Sequence, residues 1–101
     1  MSNSAEQNHN IPHNIYFDGK VQSLGLHTES GKATIGVMKP GTYTFSASSP
    51  ERMVIISGIL KIKQIDGSFT SYQAGEEFDV AAGSSFEVSC DADASYICYY
   101  G

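Results

Sequence analysis

Glycine interrupts this chain too often for long helices to form. After Ile15, Gly19, Gly25, Gly31, Gly36, Gly41, Gly58, Gly67, Gly75 and Gly83 separate short runs of β-branched and aromatic residues. No run carries a sustained 3.6-residue apolar period, whereas period-two alternation is common. Strands are predicted over 20–26, 33–38, 42–47, 53–57, 59–65, 68–72, 77–80, 85–89 and 95–100, giving an all-β chain folded as a sandwich or a small barrel. The clearest hairpin is predicted where Asp66-Gly67 follows Leu60-Lys61-Ile62-Lys63, because Asp-Gly supplies the positive φ angles of a two-residue type I′ turn. Leu60 and Ile62 then face the core, and Lys61 and Lys63 face water or guard an edge.

The chain has 101 residues, room for a single domain. Residues 1–14, rich in Ser, Asn, Gln and His, read as a flexible N-terminal tail ahead of a domain over 15–101. So small a core must offset roughly 1–2 kcal/mol of backbone entropy per ordered residue, which favours dense packing or a partner subunit, and a homodimer is expected. No apolar run approaches the ~18 residues of a membrane helix and none near the start resembles a signal peptide, so no membrane partner is expected and the cytoplasm is the expected location. The net charge of -5 argues against a nucleic-acid partner, since a phosphate backbone is bound by clustered cations. A single small anion held by hydroxyls, backbone amides and a few local cations remains compatible with that charge.

Cys90 and Cys98 match no zinc spacing and are expected as buried thiols. His9, His13 and His27 lie in the first 27 residues, so a Ser-His-Asp or Cys-His arrangement drawing on a later histidine is excluded. Asp79, Glu87, Asp91 and Asp93 read as ordinary exposed charges.

Two stretches match the spacing of the cupin patterns, G-x5-H-x-H-x3,4-E-x6-G and G-x5-P-x-G-x2-H-x3-N. Gly75, Ala81, Gly83, Phe86 and Cys90 reproduce the second, with Ala81, Phe86 and Cys90 in the proline, histidine and asparagine places. Gly41, Ala47, Ser49, Glu51 and Gly58 follow the first, although Glu51 arrives a few residues early. The chain therefore resembles the cupins, which implies a small double-stranded β-barrel of jelly-roll type. A cupin metal site needs about three imidazoles and a carboxylate, and Ala47, Ser49 and Phe86 supply no nitrogen, so metal-dependent cupin chemistry is not expected.

A closer resemblance rests on four blocks in fixed order: Tyr16-Phe17-x-Gly19-Lys20-Val21-x-Ser23-x-Gly25; Gly36-Val37-Met38-x-x-Gly41-x-Tyr43-Thr44-Phe45-Ser46; Pro50-Glu51-x-Met53-x-x-Ile56-Ser57-Gly58; and Ala74-Gly75, Phe78, Ser85-Phe86 and Ser95-Tyr96-x-Cys98. Together they resemble the small pyrimidine/purine nucleoside phosphorylases of the cupin superfamily. That resemblance implies phosphorolysis: a nucleoside and orthophosphate give free base and (deoxy)ribose 1-phosphate, with no metal and no cofactor. It further implies broad tolerance, covering adenosine, guanosine, inosine, uridine, cytidine, xanthosine and thymidine. The alternative is a non-enzymatic cupin that merely binds a nucleoside or another metabolite.

Within this frame Glu51 is the expected catalytic residue, because an inward carboxylate can stabilise the cation that develops on the sugar. Alternation places Tyr43 and Phe45 on one interior face and Met53 beside Glu51; with Phe86 and Tyr96 they would form a flat apolar lining for a base. Thr44, Ser46, Ser48 and Ser49 could cradle phosphate or ribose through hydroxyls, with Lys20, Arg52 and Lys32 as the candidate phosphate-binding cations.

Overall fold

The computed structural model describes residues 10–64 and 67–101. Ten strands are described in them: β1 (His13–Tyr16), β2 (Val21–Thr28), β3 (Gly31–Met38), β4 (Gly41–Ser46), β5 (Glu51–Ser57), β6 (Ile59–Lys63), β7 (Thr70–Gln73), β8 (Glu77–Val80), β9 (Ser85–Cys90) and β10 (Ala94–Tyr100). A single 3-10 turn, Phe17–Gly19, joins β1 to β2. The strands form two antiparallel sheets, of order β1-β2-β3-β10-β5-β8 and β4-β9-β6-β7.

Alternation explains how the sheets close on one another. On β9, Phe86, Val88 and Cys90 are buried between Ser85, Glu87 and Ser89, and on β10 Ala94, Tyr96 and Cys98 are buried in the same way. Val21, Met38, Ile55, Leu60, Val80 and Val88 are the largest fully buried side chains, and they come from six different strands. Each stabilises the barrel by roughly 1.5–3 kcal/mol relative to exposure. Cys90 and Cys98 are buried free thiols.

Two local expectations are corrected. Strand β1 pairs with β2 from His13↔Leu24 to Tyr16↔Val21, so His13 and Asn14 belong to the sheet although their sequence reads as tail. Four residues without an apolar alternation carry no strand signal of their own; the exposed edge of β2 supplies the pairing. In the β6–β7 hairpin Leu60 pairs with Tyr72 and Ile62 with Thr70, one residue out of step with a two-residue turn at Asp66-Gly67. The observed register puts Tyr72, rather than Gln73, beside Leu60, where it packs on the core and against Phe78 with ring centroids 4.9 Å apart. Ile65 and Asp66, and with them the turn type, lie outside the described residues.

Candidate functional site

At one end of the barrel the two sheets part around a pocket of about 510 Å3, within the roughly 300–1,000 Å3 typical of small-molecule sites. Its position follows from β3, β5 and β10, whose inward residues Thr34, Glu51, Cys98 and Tyr100 stand at this end of the large sheet. Gly36 lies directly opposite Tyr96 in the β3–β10 ladder. A Cβ at Gly36 would come within 2.3 Å of the Tyr96 ring, so glycine is what lets the tyrosine lie flat across β3 and form one wall.

The facing wall is aromatic. Phe45 and Phe86, paired across β4 and β9, stack with centroids 5.8 Å apart and planes at 27°. Phe17 closes over them, 5.5 Å from Phe45 and 4.9 Å from Tyr43. It is held there by an unusual turn in which Phe17 and Asp18 both adopt left-handed φ, 53° and 58°. Such a conformation is uncommon for non-glycine residues, and here it is fixed by Lys20 N–H donating to the Phe17 carbonyl at 3.1 Å and by Gln22 Nε2 donating to the Gly19 carbonyl at 3.0 Å.

Glu51 is the one formally charged side chain in the lining. It begins β5, opposite Tyr100 on β10 and Val80 on β8, and is half-buried. Burial raises its carboxyl above the ordinary glutamate range, while a hydrogen bond from the Cys98 thiol, Sγ to Oε1 at 3.5 Å, opposes the shift. The same burial pushes Cys98 up to about 12, with the Glu51 charge adding to the effect, and Tyr100 also up to about 12. Both groups remain protonated donors near pH 7. Tyr96 is raised further, again chiefly by desolvation.

Glu51, Thr44, Phe45, Ser46, Met53, Phe86 and Tyr96, expected at the site, all line this pocket. Tyr43 does not: it lies in the core beneath Phe17, its hydroxyl donating to the Lys39 carbonyl at 2.7 Å. Nor do the expected cations. Arg52 follows Glu51, so alternation turns it to the outer face, where it pairs with Glu77 at 3.2 Å and lies 4.2 Å over the Tyr99 ring. Lys20 is exposed after the 3-10 turn, and Lys32 and Ser49 line an adjoining cleft, which shares Tyr16, Thr34 and Tyr100 with the pocket but does not bring either side chain into its lining. These positions do not support the phosphate contacts expected of Lys20 and Arg52, nor a role for Ser49 in the pocket.

Sequence reasoning missed Tyr16, Phe17, Ser23, Thr34, Met38, Cys98 and Tyr100 as lining residues. Alternation around Cys98 offered one signal, since inward positions on β10 must share a face with Tyr96. The contribution of Phe17 depends on a backbone turn that no spacing rule reveals. Among the described residues no group of three or more His, Cys, Asp or Glu comes together as a metal site would require. Among the described residues no helix is long and apolar enough to cross a membrane.

Fold and pocket together define a small cupin-type β-barrel that encloses an aromatic cavity with one carboxylate. The Drosophila melanogaster CENP-C cupin domain shares this architecture at 13% identity, with a TM-score of 0.71 over 90% of this chain and 75% of that one. A family model described as pyrimidine/purine nucleoside phosphorylase matches residues 11–100. A relative of that name from Vibrio cholerae is 44% identical over 91 residues, covering 89% of this chain and 96% of the relative. The chain belongs to the pyrimidine/purine nucleoside phosphorylase family. A crystal structure from Vibrio parahaemolyticus, described as a protein of unknown function, is similar at 41% identity and a TM-score of 0.84, covering 88% of this chain and 96% of that one.

Proposed function

We propose that this pocket catalyses nucleoside phosphorolysis. The observation that carries the proposal is the half-buried Glu51 carboxylate in a pocket whose other lining residues carry no formal charge. As the N-glycosidic bond breaks, its electron pair leaves with the base and positive charge grows on the ribose ring; a fixed carboxylate in a poorly solvated site stabilises that charge. An orthophosphate oxygen then bonds to C1′, the proton that phosphate gives up ends on the departing base, and ribose 1-phosphate and free base are released. The stacked Phe45 and Phe86, with Met53 and Tyr96, offer a base flat apolar surfaces and few fixed hydrogen-bond partners, which supports acceptance of both purines and pyrimidines. With no basic side chain in the lining, phosphate is held by inward hydroxyls such as those of Ser23 and Thr34 and by the β4 backbone at Thr44 and Ser46, whose side chains alternate with Phe45 and face outward. The donor set of one carboxylate and one protonated thiol supports a reaction without a metal.

Purified protein incubated with adenosine, inosine or uridine should release base only when phosphate is present and equally well with a chelator. Glu51→Gln should lower turnover at least tenfold, since one such contact is commonly worth ~2.7–4 kcal/mol. Phosphate-independent release, or saturable nucleoside binding with no release, refutes the proposal.

The proposal includes a cytoplasmic homodimer. On the outer face of the large sheet, ladder positions align His13, Leu24, Ile35, Ile97, Val54 and Glu77 in one row across six strands. Ile35 and Val37 remain 41% and 53% exposed, although β3 places only Thr34, Gly36 and Met38 inward. A sheet with one solvated face carries its larger apolar residues inward; β3 carries branched ones outward, as expected of a sheet covered on both sides. A second copy related by a two-fold axis parallel to the strands reverses this row, laying aliphatic on aliphatic and the histidine end against the glutamate end.

A further inference from the structure

The Glu51 carboxylate is held by a neighbour that the phosphorolysis reading leaves unused. Cys98 lies one inward position before Tyr100, the residue opposite Glu51 in the β10–β5 ladder, so the thiol reaches the carboxylate diagonally across the strands. Its Sγ donates to Oε1 at 3.5 Å. Tyr100 flanks both groups, and its hydroxyl shares a hydrogen bond of 3.0 Å with Thr34 Oγ1 on β3. Thr34, Cys98, Tyr100 and Glu51 thus form one polar strip along the inner face of β3, β10 and β5, in the wall of the pocket.

We propose that Cys98 is a positioning residue: its thiol fixes Oε1 of Glu51 and leaves Oε2 to the ligand. A half-buried glutamate has three rotatable bonds, and among the described residues its carboxylate has no other hydrogen-bond donor, so without the thiol it would sample rotamers that point away from the sugar. A thiol suits this place because burial keeps it protonated, so it still donates across the neutral range in which Glu51 is ionised. The titratable groups that share the pocket wall with Glu51 are Cys98, Tyr96 and Tyr100 from β10 and Tyr16 from β1, and Arg52 of β5, Asp79 of β8 and Tyr99 of β10 line an adjoining cleft that Glu51 also borders. Its β8 partner is Val80, and the opposing sheet presents Phe45 and Phe86. Glu51 is therefore the group that sets the acidic limb of a pH–rate profile, and the thiol holds that limb down.

The kinetic part of this inference rests on the phosphorolysis reading, and the titration part does not. In substrate-free protein the Glu51 carboxyl, assigned by its disappearance in Glu51→Gln, can be titrated by carbon NMR in wild type, Cys98→Ala and Cys98→Ser. The midpoint should rise in Cys98→Ala and fall back in Cys98→Ser, whose hydroxyl restores a donor. Turnover in Cys98→Ala should drop about fivefold, the equivalent of one hydrogen bond, its acidic limb should move to higher pH, and Cys98→Ser should recover both. If Cys98→Ala lowers the melting temperature, Cys98→Val, which better keeps the volume of the buried site, replaces it. An unchanged Glu51 midpoint in the variants lacking a donor overturns the positioning role whatever the kinetics. Absence of phosphorolysis in wild type overturns the functional reading instead, and the titration still decides the role of Cys98.

Discussion

Replacing Gly36 by alanine sets two effects of opposite sign against each other. Gly36 lies within β3, and its φ is not among the positive values that disfavour side chains, so alanine should gain about 0.4–1 kcal/mol by restricting the unfolded chain. Against this, the new Cβ would stand 2.3 Å from both Cζ and Oη of Tyr96 and 2.6 Å from Cε1, where ordinary contact begins at 3.4 Å. The ring must retreat by about 1 Å, and it cannot swing into solvent, because Tyr96 is only 6% exposed and packed in the core cluster. Overpacking of this kind costs typically 1–3 kcal/mol, so the clash wins. At roughly 4–8 °C per kcal/mol for a domain of this size, the melting temperature should fall by about 5–15 °C. Tyr96 lines the pocket, so a ring displaced toward it takes up ligand space and nucleoside turnover should fall as well. A double-mutant cycle with Tyr96→Val isolates the contact and should return a coupling of about 1 kcal/mol or more. A melting temperature equal to or above wild type in Gly36→Ala would refute the assignment of Tyr96 as a wall that rests on the β3 backbone.

Three further outcomes follow from the site and the outer face. Glu51→Gln should melt higher than wild type at pH 7. The folded-state carboxyl is raised by burial, so wild type loses stability as pH rises from the unfolded glutamate value near 4.3 through the folded one, a loss that glutamine does not share; melting curves that fail to converge below about pH 4 would contradict this. Thr34→Val combined with Ser23→Ala should raise the KM for phosphate several-fold, whereas Arg52→Gln, on the outer face, should leave it unchanged; the reverse pattern would move the cradle to Arg52. If the proposed dimer forms, Ile35→Glu should convert it to monomer by light scattering, and a wild type that elutes as a monomer at micromolar concentration would remove the interface.

The elements that sequence rules capture well here are those whose signal is local. Glycine spacing and period-two alternation mark nine of the ten strands, because burial on one face writes itself into alternate residues; Leu60 and Ile62 between lysines are the clearest case. The strand His13–Tyr16 escaped, since an edge strand takes its conformation from the ladder it joins. The inward placement of Phe45, Met53 and Phe86 was also legible, because each follows from alternation once one neighbour is oriented. The same alternation, applied strictly, turns Arg52 away from the pocket, and its charge was a poorer guide than its position next to Glu51.

By itself, the sequence determined the all-β class, the glutamate among aromatics and the family resemblance, all of which reside in residue order and spacing. Only the tertiary structure decided which groups meet. Cys98 reaches Glu51 because β10 lies beside β5, Tyr96 lies flat because Gly36 faces it from β3, and Phe17 caps the pocket because three successive residues adopt positive φ. These are contacts between strands distant in the chain or set by a strained turn, and neither leaves a periodic trace, since their energy depends on a neighbour supplied by folding.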